Sequence, residues 1–250
     1  MGFQVTARDT EMLAWIGRNR LATGDQVARR FGLQRTKAYA RLRGLKAAGL
    51  VRHESPVRGA GVFLATRAGL ALADVDLAPA TVALAMLEHD LAVVDVSILL
   101  ETRMGAAVLT DRELRRDAAV ADRSGVPDLV ALPDDRRRLA VEVELSRKSR
   151  ARVSQKLRWY TQSPDYTAVV YFVRDDRDAA RINELATEAG VDRSRLVVKL
   201  LPGAATSPAP AATSAPMLEQ EVVSFVAGDR EDREKILAQW QARYAAQEAI

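Results

Sequence analysis

From residue 139 to 145 the chain reads Leu-Ala-Val-Glu-Val-Glu-Leu. Such alternation of apolar and acidic residues suits a β-strand, because successive side chains on a strand point to opposite faces. Glu142 and Glu144 then share one face, and Val141, Val143 and Leu145 the other. A shorter apolar run, Val126-Pro-Asp-Leu-Val130, precedes it across a basic turn. The two segments predict neighbouring strands, at 128–132 and 138–145, that bring Asp128, Glu142 and Glu144 close together. Arg147, Lys148, Arg150, Arg152, Lys156 and Arg158 follow at once. Converging acids beside cations are what a protein needs to hold a divalent metal against a phosphodiester. The same alternation also describes the strand of a half-wet sheet, with valine inside and glutamate outside.

The flanking pattern extends this pair into an α/β arrangement. A helix is predicted over 81–104, a strand over 107–110, a helix over 151–162, a strand over 167–173, a helix over 179–189 and a strand over 196–201. A chain of 250 residues that is 48% hydrophobic can bury a core in one or two domains. Without cysteine it can build no disulfide framework or thiolate zinc site, which fits a cytoplasmic protein. The N-terminus lacks the layout of a signal peptide. The most apolar window, 81–100, is broken by Glu88, His89, Asp90 and Asp95, which argues against a membrane span. The net charge of +4 points to an anionic partner.

Much of that charge lies near the N-terminus, and no acid occurs between residues 27 and 52. Residues 1–76 predict three short helices and two strands. Thr6 and Thr23 are positioned as N-caps, Ala38, Leu42 and Leu45 as the buried stripe of the third helix, and Gly49 as its terminator. This module resembles the winged helix-turn-helix of many bacterial regulators. The resemblance implies that the third helix enters the major groove of double-stranded DNA. Arg35, Lys37, Tyr39, Arg41, Arg43 and Lys46 would then face the groove, and Arg58 at the wing tip would approach a phosphate or the minor groove.

The order of elements after residue 77 matches the PD-(D/E)xK, or restriction-endonuclease-like, fold. More narrowly, the chain resembles the replication-relaxation family of plasmid and mobile-element proteins, which join a winged helix to such a domain. The resemblance is carried by Glu88-His89-Asp90-Leu-Ala-Val93, Leu109-Thr-Asp-Arg-Glu-Leu-Arg115, Pro127-Asp128 and Val141-Glu-Val-Glu-Leu-Ser-Arg-Lys-Ser149. It implies that Asp128 and Glu142 hold Mg²⁺ or Mn²⁺, with Glu101 or Asp90 on the long helix as a further carboxylate. His89 reads as a hydrogen-bonded, partly buried residue ahead of a ligand.

Glu144 stands where the superfamily usually has lysine, so Lys148 or Lys156 is the nearest ammonium. Arg147, Arg150, Arg152 and Lys156 form a cluster able to hold phosphates. The organisation expected is a winged helix at 1–76, a nuclease-like domain at 77–202 and a flexible linker at 203–216. A C-terminal strand and helix at 217–250 would pack on the core or on a dimer partner. Three functions are open on this reading: a DNA-binding regulator of a mobile element, a metal-dependent endonuclease using Asp128, Glu142 and Glu144, or a protein-interaction adaptor.

Overall fold

The computed structural model describes residues 4–57, 60–116, 125–146 and 148–202. Arg58, Arg147 and the whole of 203–250, including the expected linker and C-terminal strand and helix, lie outside them. The protein is a mixed α/β chain with helices and two sheets. It divides into two compact units, one of residues up to 102 together with 108–129, the other of 103–107 and 130 onward.

In the first unit, α1 (Ala7–Arg18) begins at Thr6, whose backbone N–H donates to the Asp9 carboxylate at 2.7 Å. Its stripe of Met12, Leu13, Trp15 and Ile16 is buried. A two-residue strand, β1 (Ala22–Thr23), leads into α2 (Gly24–Arg30), where Thr23 and Gln26 form a capping box. Helix α3 (Arg35–Ala47) buries Ala38, Leu42 and Leu45, and Gly49 terminates it at φ +71°, a conformation that glycine adopts without a Cβ clash. Strands β2 (Val51–Val57) and β3 (Ala60–Ala65) pair antiparallel, and β1 joins on the other side of β3. Helix α4 (Arg67–Leu72) is capped by Thr66.

Helix α5 (Leu87–Arg103) starts later than the predicted 81, because Ala83 is extended and a single 3₁₀ turn covers Leu84–Met86. Val94 and Ile98 of α5 join the core formed by α1, α2, α3 and β3. Polar ties reinforce the contact: the Gln26 amide donates to Leu91 O at 2.9 Å and to Asp95 at 3.0 Å. Strand β4 (Ala107–Thr110) runs into α6 (Asp111–Arg116), where the Thr110 N–H and hydroxyl both donate to Glu113 at 2.9 Å.

In the second unit, strands β5 (Leu129–Asp134), β6 (Arg137–Glu144), β7 (Ala168–Val173) and β8 (Leu196–Leu200) lie in the order β5-β6-β7-β8. The pairs β6–β7 and β7–β8 are parallel, with α7 (Arg150–Gln162) and α8 (Asp176–Glu188) as their crossovers. All six residues of β7 are buried, as expected of a central parallel strand covered on both faces. Leu157 and Tyr160 of α7 and Ile182 and Leu185 of α8 cover the face that carries Val169, Tyr171 and Val173. No helix among the described residues is long and apolar enough to cross a membrane.

Candidate functional site

The side chains singled out from the sequence fall into three groups. On α3, Arg35, Lys37, Arg43 and Lys46 are exposed, and no acidic residue lies on the helix. Tyr39 departs from the expected outward position. Its ring edges onto Phe63, 6.3 Å between centroids, and a Cβ added at Gly24 would sit 2.4 Å from it. Tyr39 therefore packs α3 onto α2 and β3. Arg41 departs too. Its guanidinium forks onto both carboxylate oxygens of Asp9 and reaches Gln4 O at 3.0 Å. Asp9 is only 1% exposed, so this fork neutralises a buried charge. Burial alone would raise the Asp9 carboxyl, but Arg41 and Thr6 hold it below the usual carboxylate range.

Asp128 lies beside His89, with His89 Nε2 at 3.3 Å from Asp128 Oδ2 and His89 Nδ1 at 4.0 Å from Asp90. Burial would lower the imidazole, yet Asp128 and Asp90 outweigh it and push His89 up to about 10. The His89 side chain is 23% exposed. These residues line a cavity of about 210 Å³ that also receives Arg20 and Asp111. Arg20 approaches Asp111 at 3.3 Å and Asp90 at 3.7 Å. Glu101, the other acid considered on α5, is engaged elsewhere. It accepts from Trp15 Nε1 at 3.0 Å and pairs with Arg30.

In the second unit Glu142 and Glu144 are not on a half-wet face. They are 3% and 6% exposed, because α7 and the chain leading into it cover that side of β6. Each carboxylate receives an ammonium. Lys156 Nζ stands 2.6 Å from Glu142, which also accepts from the Tyr160 hydroxyl, and Lys148 Nζ stands 2.7 Å from Glu144. Buried charges require such partners, since an unpaired carboxylate loses its hydration with nothing in return. The cationic cluster is correspondingly reduced as a phosphate grip: Lys148 and Lys156 are internal partners, and Arg150 pairs with Glu188 at 2.6 Å and Glu184 at 3.5 Å. Arg152 is exposed.

Asp128 belongs to the first unit and Glu142 and Glu144 to the second. Among the described residues no group of three or more His, Asp or Glu side chains forms a ligand set for a metal. Within each unit the acids proposed as Mg²⁺ or Mn²⁺ ligands already face a cation: His89 at Asp128, Arg20 at Asp90, Lys156 at Glu142 and Arg30 at Glu101.

Three participants had little or no signal in the sequence. Arg20 enters the cavity from a turn whose φ of +73° nothing in an arginine announces. Asp9 finds its partner thirty-two positions along the chain. The Tyr160 hydroxyl reaches Glu142 only because α7 crosses over β6, although its i+4 spacing from Lys156 placed both on one helix face.

No curated protein and no solved structure matches this chain. The replication-relaxation family does, over residues 13–167, a span that runs from within α1 through α7. With well over half of its length matched, and with the Glu88–Val93, Pro127–Asp128 and Val141–Ser149 segments inside the match, the chain belongs to the replication-relaxation family.

Proposed function

We propose that the protein is a double-stranded DNA-binding protein acting in the replication or transfer of a mobile element, with α3 of a winged helix-turn-helix as its reading element. The observation that carries this is the outer face of α3, where Arg35, Lys37, Arg43 and Lys46 are exposed and no acidic side chain lies on the helix. Such a face neutralises phosphates and releases their counterions. The β2–β3 hairpin that follows α3 supports this reading, since a wing comes after the reading helix in such modules. Family membership supports the biological setting. The test is fluorescence anisotropy on duplex DNA with Arg43→Ala and Lys46→Ala, against wild type across a salt series. Affinity that ignores both the variants and the salt refutes the assignment.

A second reading is a restriction-endonuclease-like second half that cleaves DNA with Mg²⁺ or Mn²⁺, using Asp128, Glu142 and Glu144. What supports it is the pair of ammonium groups, Lys156 at Glu142 and Lys148 at Glu144, beside the position where the superfamily usually carries its lysine. Supercoiled DNA incubated with Mn²⁺ or EDTA, beside Glu142→Ala, decides it; identical products in every lane remove the nuclease.

A further inference from the structure

The cavity beside Asp128 has one wall that neither reading uses. It is made by Arg18, Asn19 and Arg20, where α1 ends. Arg20 holds a left-handed backbone at φ +73°, which is costly for a residue with a Cβ, and strain of this kind gathers at ligand sites. That backbone delivers the guanidinium to Asp90 and Asp111 at 3.7 and 3.3 Å, without the close two-pronged fork that Arg41 makes with Asp9. The carboxylates on the wall each have a cation: His89 at Asp128, Arg20 at Asp90, and Arg20 with Arg115 at Asp111.

What remains over is unmet hydrogen-bonding capacity. Among the described residues, Arg18 Nε is buried with no acceptor, and Arg18 itself reaches Glu113 only at 3.9 Å. Asn19, 8% exposed, finds no donor for Oδ1 among them either. Buried polar atoms in native proteins are normally satisfied, and exceptions concentrate where a ligand completes them. Three guanidiniums in loose contacts suit a tetrahedral oxyanion, and the Asn19 carbonyl suits a hydroxyl beside it. About 210 Å³ holds roughly seven waters at ~30 Å³ each, enough for a phosphate and part of a sugar.

We propose that Arg20, with Arg18 and Arg115, forms a cradle for a phosphoryl group, carried either by a DNA 5′ end or by a free nucleotide, so that the end of α1 contributes directly to the Asp128 site. The assignment rests on the DNA-binding reading only for the source of that phosphoryl group.

The experiment uses the full chain. Inorganic phosphate is titrated calorimetrically into wild type, Arg20→Gly, Arg20→Lys and the α3 variant Lys37→Ala with Arg43→Ala and Lys46→Ala, and thermal melts are recorded for each. Arg20→Gly is expected to bind phosphate about tenfold more weakly or worse, as the loss of a charge-assisted contact requires. Its melting temperature is read beside the affinity, with the relieved positive φ opposing the loss of the Asp90 and Asp111 contacts. Arg20→Lys should retain part of the affinity, and the α3 variant all of it. Absence of phosphate binding to wild type, or a lower melt with unchanged phosphate affinity in Arg20→Gly, overturns the proposal. Duplexes with a 5′-phosphate or a 5′-hydroxyl then identify the source. A preference for the phosphorylated end that Arg20→Gly abolishes assigns the DNA terminus. Equal duplex affinities beside Arg20-dependent phosphate binding assign the free ligand. Duplex binding that fails outright while phosphate still depends on Arg20 defeats the DNA-binding reading and leaves the cradle standing.

Discussion

Replacing Arg41 by alanine separates an arginine that neutralises a buried carboxylate from the exposed Arg43 on the same helix. Asp9 is 1% exposed and accepts from both arms of the Arg41 guanidinium, and its other donors are the backbone N–H and hydroxyl of Thr6. Removing one partner of a buried pair typically costs about 3–5 kcal/mol, because the remaining charge stays desolvated. The Thr6 donors persist and the Arg41 side chain is 32% exposed, so the low end applies, about 3 kcal/mol. For a chain of this size that corresponds to a fall of roughly 6–12 °C in melting temperature. Arg43, exposed on the neighbouring turn of α3, should cost less than about 0.5 kcal/mol on the same substitution.

The assay is a circular-dichroism melt with a urea titration, run on Arg41→Ala, Arg43→Ala and the double variant Asp9→Ala with Arg41→Ala. The double variant should recover part of the loss, since no carboxylate is left stranded. The pH dependence has a fixed sign. The Asp9 carboxyl is held below its usual value in the folded chain, so its contribution is present above about pH 4 and is lost as pH falls below that. An Arg41→Ala protein as stable as Arg43→Ala would refute the buried-pair reasoning.

Three further outcomes follow from the geometry. Lys156→Met removes the ammonium that answers Glu142, 3% exposed, and should destabilise by about 3 kcal/mol, measured by urea unfolding; a change under about 0.5 kcal/mol contradicts the pairing. In EDTA-treated protein the His89 imidazole should remain protonated through pH 8 by NMR. Its pKa is raised, so its stabilising contribution is complete below about pH 6.5 and is lost as pH climbs through about 10, and a ring that titrates near 6.5 contradicts its contact with Asp128 and Asp90. Arg195 donates to the backbone carbonyls of Tyr160, Thr161, Ser163, Tyr166 and Thr167, closing the end of α7, so Arg195→Ala should cost about 2–3 kcal/mol in a thermal or urea melt; wild-type stability would show that those carbonyls are satisfied by water.

Local periodicity made most of the elements legible. The Ala38, Leu42 and Leu45 stripe located α3, and the six apolar residues of β7 marked a strand buried on both faces. The Thr-x-x-Glu pattern at 110–113, in which Glu113 accepts from the Thr110 N–H, marks the start of α6 in the sequence. What escaped was non-local. Alternation placed Glu142 and Glu144 on one face of β6 correctly, but it carries no information on whether that face meets water or a helix, and here both side chains are buried. The cations on and before α7 read as a surface cluster. In the folded unit Lys148 and Lys156 answer the desolvation of those two glutamates. Arg41 reads like its neighbours on α3 until Asp9 is brought to it from α1.

On the proposed function, α3 carries this replication-relaxation protein onto duplex DNA. The most direct measurement is the salt dependence of duplex binding, by anisotropy, for wild type and for Lys37→Ala with Arg43→Ala and Lys46→Ala. Wild type should show log K falling linearly with log salt, and the triple variant should lose about 0.9 of that slope for each phosphate contact removed, up to roughly three contacts. Equal slopes and equal affinities in the two proteins would contradict the account.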